Sequence, residues 1–160
     1  IIPFYYHGQL RYYNARKVIG NGPRYNNPNK DITGLGKEFI IFNYDALEMY
    51  RSVFICEGAL NALTLGDRGI ATMGKAISAY QVNELLKSSC QRYIILLDPD
   101  AKRYAVNLAL KLVDYKKVKV VFLPDGKDVN DLGRKQTLKL VYQTRYQSYQ
   151  ELVQIKNSLE

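Results

Sequence analysis

Tryptophan is missing from the 160 residues, histidine occurs once and cysteine only twice. Two thiols, Cys56 and Cys90, cannot brace a disulfide-stapled domain, and with the single imidazole of His7 they cannot complete a structural zinc site. A reducing compartment is the expected home. No stretch approaches the roughly eighteen consecutive apolar residues of a membrane span, and no basic-then-apolar leader heads the chain. Neither G-x-G-x-x-G nor G-x-x-x-x-G-K-[ST] occurs, so the phosphate cradles of dinucleotide folds and P-loop ATPases are lacking. The chain opens Ile1-Ile2-Pro3 without a methionine, as expected of a piece cut from a longer protein. Internal repeats and low-complexity runs are also lacking.

What is present is enough for a core: 47% of residues are apolar and 24% charged, which excludes wholesale disorder. The length suits one compact domain or two small lobes sharing an interface. Net charge is +8, from 23 basic and 15 acidic residues, which points to a polyanionic partner or to a basic solvated surface. The first forty residues carry Arg11, Arg16, Lys17, Arg24, Lys30 and Lys37 against only Asp31 and Glu38. Tyrosine, at 14, replaces tryptophan as the aromatic available for packing or base stacking.

Residues 1–50 read as short strands and turns. Residues 1–6 are β-prone, His7-Gly8 signals a turn, and residues 10–19 resume an extended pattern. Gly20-Asn21-Gly22-Pro23 and Asn26-Asn27-Pro28-Asn29 break the chain. A further strand is expected over residues 38–42 and a helix over 43–50, capped by Asn43 or Asp45. From Ser52 the texture changes. Val53-Phe54-Ile55-Cys56 is a continuous apolar run, as in a strand buried on both faces. Helices over 59–65, 78–87 and 101–114 alternate with strands over 69–73, 92–97 and 118–123, the pattern of a parallel sheet. Residues 134–160 place Leu138, Val141, Tyr142, Tyr149, Leu152 and Ile155 at helical spacing, which predicts one or two amphipathic helices. The fold class is therefore α/β: a parallel sheet flanked by helices, after a small β-rich lobe and before C-terminal helices. The expected units are residues 1–50, 51–133 and 134–160.

Ligands of an open parallel sheet bind beyond the carboxyl ends of its strands. Here the first such strand runs into Glu57-Gly58, the third into Asp98-Pro99-Asp100, and the fourth leads to Asp128, Asn130 and Asp131. Crowded carboxylates repel unless protonated or neutralised, and a hard divalent cation is the usual remedy. Singly, each acid has a plain explanation: Glu57 as a turn residue, Asp98 or Asp100 as a helix cap, Asp128 and Asp131 as turn formers. At three corresponding strand ends, the metal site is the better explanation. Cys56 reads as packing, His7 as a hairpin turn, and Lys116, Lys117 and Lys119 as a solvated rim.

The order Glu57-Gly58, then Gly69-Ile70-Ala71-Thr72-Met73-Gly74, Asp98-Pro99-Asp100 and Pro124-Asp125-Gly126-Lys127-Asp128-Val129-Asn130-Asp131 resembles a Toprim domain, the metal-binding fold of bacterial-type primases, topoisomerases and some nucleases. Ile2-Pro3-Phe4, His7-Gly8, Arg16-Lys17-Val18, Arg24-Tyr25-Asn26-Asn27-Pro28 and the loop through Lys37 resemble the basic N-terminal lobe of DnaG-type and phage primases. The likeness covers roughly residues 1–133. It implies catalytic roles for Glu57, Asp98 and Asp100, with Glu57 as candidate general base. It implies Mg²⁺ or Mn²⁺, two ions, held by Glu57, Asp98, Asp100 and Asp128. Arg16, Arg24, Lys37 and Lys75 would bind nucleic acid or nucleotide.

The implied activity is metal-dependent, template-directed synthesis of short RNA primers on single-stranded DNA during DNA replication. The implied partners are that template, ribonucleoside triphosphates and a replicative helicase engaged through regions absent here; no membrane is implied. The implied setting is the cytoplasm of a bacterium or of a phage-infected host. Two departures stand out. Asn61 occupies a position, four residues after the motif glutamate, where bacterial primases carry an acid, and Asn130 occupies another. The zinc-binding module by which primases choose a start site is also lacking. The alternatives are a Toprim nuclease using the same acids, or a binding module that has lost catalysis. A haloacid-dehalogenase-type phosphatase fits less well, because Ala101-Lys102-Arg103 follows the Asp-x-Asp, and a phospho-receiver domain leaves Glu57 and the basic lobe unexplained.

Overall fold

The computed structural model describes residues 1–21, 25–28 and 30–159. Strands β1 (Ile2–Tyr6) and β2 (Gln9–Arg16) pair antiparallel, and β3 (Tyr25–Asn26) adds to the far edge of β2. The hairpin turns at His7-Gly8, both in the left-handed region with φ 51° and 76°. Alternation turns Phe4 and its cross-strand partner Tyr12 inward, and the Phe4 ring meets Phe42 edge-on at 4.9 Å.

Four strands form the second sheet, all parallel: β4 (Ser52–Cys56), β5 (Gly69–Ala71), β6 (Arg92–Leu96) and β7 (Lys117–Val120), in the order β5-β4-β6-β7. The period of two sorts its side chains. Val53, Ile55, Tyr93, Ile95 and Val118 point to one face, under Leu47, Leu85, Leu112 and Leu152. These come from α2 (Ala46–Met49), α4 (Ala79–Lys87), α5 (Lys102–Leu112) and α7 (Tyr149–Ser158). Cys56, Ile94 and Leu96 point to the other face, where Phe4 and Tyr12 meet residues of α3 (Ala59–Leu65) and α6 (Val129–Gln143). One face thus joins the hairpin to the parallel sheet through shared core. Helix α3 seats so closely on β5 that a Cβ on Gly69 would stand 2.0 Å from the Ala62 carbonyl oxygen. A further short helix, α1, spans Lys30–Thr33. No helix among the described residues is long and apolar enough to cross a membrane.

Several local expectations change. Residues 38–42 are not a strand: Lys37–Phe39 is a 3-10 turn, followed by one bridge between Phe42 and Ala71. The reason lies on α4, where buried Gln81 donates through Nε2 to the Ile40 and Thr72 carbonyls and takes the place of a strand partner. Helix α2 starts at Ala46 with Asp45, one of the two expected caps, at the N-cap position, but the Asp45 side chain makes no cap hydrogen bond. The Asp45 carboxylate accepts the His7 amide, and Asn43, at φ 55°, donates to the Asp67 and Gly69 carbonyls. Helix α6 begins at Val129, ahead of the expected 134, and kinks at Gly133, φ 72°. Tyr142 and Tyr149 are exposed rather than part of an apolar stripe. The expected lysine rim is largely engaged: Lys119 is buried and donates to the Val141 and Thr144 carbonyls, and Lys116 donates to those of Ser88 and Cys90.

Candidate active site

Strand β4 delivers Glu57 one residue past its end, and Gly58 then opens α3. Beyond β6, Asp98 precedes a 3-10 turn over Pro99–Ala101, and Asp128 stands directly before α6. Glu57, Asp98 and Asp128 line one cavity of about 480 Å³, which Arg16 at the end of β2 and Lys37 also line. Acidic strand ends and basic N-terminal residues therefore bound a common space. A larger cleft of about 650 Å³, lined by Arg92, Tyr115, Lys116 and Lys117, contains no carboxylate.

The loop after β5 is stitched to the end of β4. The Gly74 amide donates to the Glu57 carbonyl at 3.1 Å, and Thr72 Oγ1 donates to the Cys56 carbonyl at 3.4 Å and the Gly74 carbonyl at 3.0 Å. Met73 lines the cavity with φ 61°, a conformation costly for a side chain with a Cβ and held only where the surroundings over-determine it. Lys37 Nζ lies 3.8 Å from where a Cβ on Gly74 would stand, so the lysine crosses this loop.

Glu57 is half-buried, and its Oε2 is the one buried side-chain oxygen or nitrogen among the described residues without a hydrogen-bond partner. Burial pushes the Glu57 carboxyl above its ordinary range, and repulsion from Asp98 and then Asp100 adds to this against the pull of Lys75 and Lys37. Burial likewise raises Asp98, followed by repulsion from Asp128, Asp100 and Asp131. One Asp98 oxygen accepts from Asn61 Nδ2 at 3.1 Å. Asp100 has a different place. It is exposed, does not line the cavity, and pairs with Lys75 Nζ at 2.9 Å, which holds its carboxyl below the ordinary range. Lys75 in turn lies 6.0 Å from the centre of the Tyr104 ring.

Asp128 caps α6: its carboxylate accepts the Asp131 amide at 2.8 Å, while Asp131 accepts the Asp128 amide at 3.1 Å. Arg24 lies outside the described residues. The Cys56 thiol is fully buried and pushed far up by that burial, which makes it packing and not a nucleophile. Sequence reasoning registers Asn61 only as a missing acid. Its bridging role, accepting from the Asn130 amide while donating to Asp98, needs α6 docked against α3 and has no local signal.

The charged donors at this edge are carboxylate oxygens, with asparagine amides beside them, and the orphaned Glu57 oxygen is of the kind a hard cation satisfies. No three acidic, histidine or cysteine side chains among the described residues converge closely enough to hold a metal alone. A divalent ion held there would need waters or phosphate oxygens to complete its shell.

Residues 54–133 match the Toprim-like family. Among solved structures, the E. coli primase catalytic core superposes with a TM-score of 0.74 and 22% identity, covering 99% of this chain and 54% of that one. The zinc-binding and RNA polymerase domains of Aquifex aeolicus primase give 0.72 and 23%, covering 91% and 40%. A DnaG primase catalytic domain bound to single-stranded DNA gives 0.71 and 23%, covering 90% and 52%. The chain therefore spans 40% to 54% of these structures, and what it has in common with them is the fold. No curated protein matches the chain.

Proposed function

The chain belongs to the Toprim-like family, and from that premise we propose that it is the catalytic part of a DNA primase, which makes short RNA primers on single-stranded DNA. The observation that carries the reading is the cavity itself. A buried, unpartnered Glu57 oxygen and the Asp98 and Asp128 carboxylates line the same space as Arg16 and Lys37 from the basic N-terminal lobe. Acids alone would fit many metal enzymes, whereas acids sharing a cavity with a basic lobe fit chemistry on a polyanion.

In the proposed reaction the 3′-hydroxyl of the growing strand attacks the α-phosphorus of a ribonucleoside triphosphate. A P–O bond forms, the bond to the β-phosphate oxygen breaks, and pyrophosphate leaves. Glu57 accepts the hydroxyl proton, a role to which its raised basicity is suited. Glu57, Asp98 and Asp128, joined by Asp100 when Lys75 moves to a phosphate, would hold divalent metal. Mg²⁺ or Mn²⁺, when bound, lowers the pKa of the attacking hydroxyl and stabilises the leaving oxygens. Arg16, Lys37 and Arg24 neutralise template phosphates, which adds affinity without reading sequence. A replicative helicase would be engaged through segments outside these residues, in the cytoplasm of a bacterium or phage-infected host.

The test supplies the protein with ribonucleoside triphosphates, a single-stranded template and Mg²⁺ or Mn²⁺. Oligoribonucleotides that vanish in Glu57→Gln support the proposal. Cut strands would make the protein a nuclease, and binding without either product would make it a non-catalytic module.

A further inference from the structure

We infer that Asn61 is a positioning residue that replaces one cation of the carboxylate edge with a hydrogen bond, so that before nucleotide binds the edge takes one divalent ion and not two. The inference rests on the reading of Glu57 and Asp98 as metal ligands and adds a count to it.

Asn61 is 6% exposed, the third residue of α3, four positions after Glu57. Its amide works in two directions: Nδ2 donates to Asp98 Oδ1 at 3.1 Å, and Oδ1 accepts the Asn130 amide at 3.2 Å. It therefore ties the end of β6 to the first turn of α6. It also satisfies a helix N-terminal amide that has no intrahelical partner. Thr64 Oγ1 reaches Asn130 Oδ1 at 3.2 Å from the same helix, a second stitch across the same gap.

The donor–acceptor pair is what matters. A carboxylate at this position would accept from the Asn130 amide equally well but has no hydrogen to offer Asp98. Two carboxylate oxygens would then face each other at hydrogen-bonding distance, an arrangement that needs a shared proton or a cation between them. Asn61 removes that need and leaves Asp98 held in place with no ion bound. The buried oxygen still lacking a partner is on Glu57, and a single ion bound there would answer it.

The experiment is a nucleotide-free Mn²⁺ titration of the protein, with free ion counted by its EPR signal, and thermal unfolding in EDTA and in Mn²⁺. The wild type should bind one ion. Asn61→Asp should bind a second, and should unfold several degrees lower than wild type in EDTA but recover in Mn²⁺. Asn61→Ala, which loses both bonds, should unfold lower in both conditions and gain no ion. Glu57→Gln should lose the single wild-type ion. Two ions in the wild type, a count that needs no variant to fold, would overturn the inference. So would Asn61→Asp matching the wild type in both count and EDTA stability while Glu57→Gln loses its ion. If the wild type binds no Mn²⁺, the metal reading of the edge falls and this inference falls with it.

Discussion

Replacing Glu57 by glutamine should stabilise the metal-free protein while abolishing its chemistry, an opposition that a merely structural glutamate would not produce. Oε2 is buried without a partner, and the carboxyl is further raised by Asp98 and Asp100. Glutamine keeps a polar group in that place but removes the charge, and sparing a half-buried side chain the desolvation and repulsion of that charge is worth about 1 kcal/mol. For a chain of this size that corresponds to a rise of about 2–4 °C in melting temperature in EDTA at neutral pH. The pH dependence has a definite sign. The folded-state pKa lies above the ordinary glutamate value of 4.5, so Glu57's favourable contribution is complete below that value and is lost as pH rises through the raised one. The wild type should therefore lose stability relative to the glutamine variant as pH rises above the ordinary glutamate value. Loss of a general base typically costs about 10²–10⁴ in rate, and loss of a metal ligand adds to it. Differential scanning fluorimetry across pH, with and without Mn²⁺, reads the first effect, and primer synthesis reads the second. A variant less stable than wild type in EDTA at pH 7, or a difference independent of pH, would refute the reasoning.

Gly69→Ala would bring a methyl group to 2.0 Å from the Ala62 carbonyl oxygen and force β5 off α3, lowering stability by roughly 2 kcal/mol or more in chemical denaturation. Arg16→Ala combined with Lys37→Ala should flatten the slope of log affinity against log salt for a labelled single strand by about 1.4, or roughly 0.7 for each phosphate no longer neutralised. An unchanged slope in fluorescence anisotropy would put the strand elsewhere, with the Arg92 and Lys117 cleft the next place to look. Lys119→Met removes the donor to the Val141 and Thr144 carbonyls and should cost about 1–3 kcal/mol, with hydrogen exchange accelerating first at the end of α6.

The parallel sheet was legible because its determinants are local. A strand buried on both faces must be apolar at successive positions, and Val53 to Cys56 are; Ser78 and Gln81 form a capping box that fixes where α4 starts. The elements that escaped depend on distant partners. Lys37–Phe39 is a turn because Gln81, some forty positions later, supplies hydrogen bonds that a neighbouring strand would otherwise provide. Lys119 alternates with valines and reads as solvent-facing, yet α6 covers that face and its C-terminal carbonyls need a donor. Tyr142 lies on α6, so its spacing to Leu152 is counted across the break between two separate helices, and Tyr149, though in the same helix as Leu152, is the exposed first residue of α7.

Asp98 and Asp100 show where reading a site from sequence stops. Taken as an extended Asp-x-Asp, residues two apart lie on one face, and both carboxylates would enter one site. Pro99 instead opens a 3-10 turn, so Asp98 closes the extended segment while Asp100 lies inside the turn, and the alternation that would put them on one face is broken. Asp98 is consequently half-buried against Asn61, while Asp100 stands exposed with Lys75. That ion pair joins two exposed groups, and such pairs stabilise a fold very little. Under the proposed function it would be easily exchanged: an incoming polyphosphate would offer Lys75 a stronger counter-charge, and Asp100 would then be released beside an edge that already repels further negative charge. The acid that the resting protein leaves outside the cavity would enter the site only together with the cation and the phosphates that neutralise it.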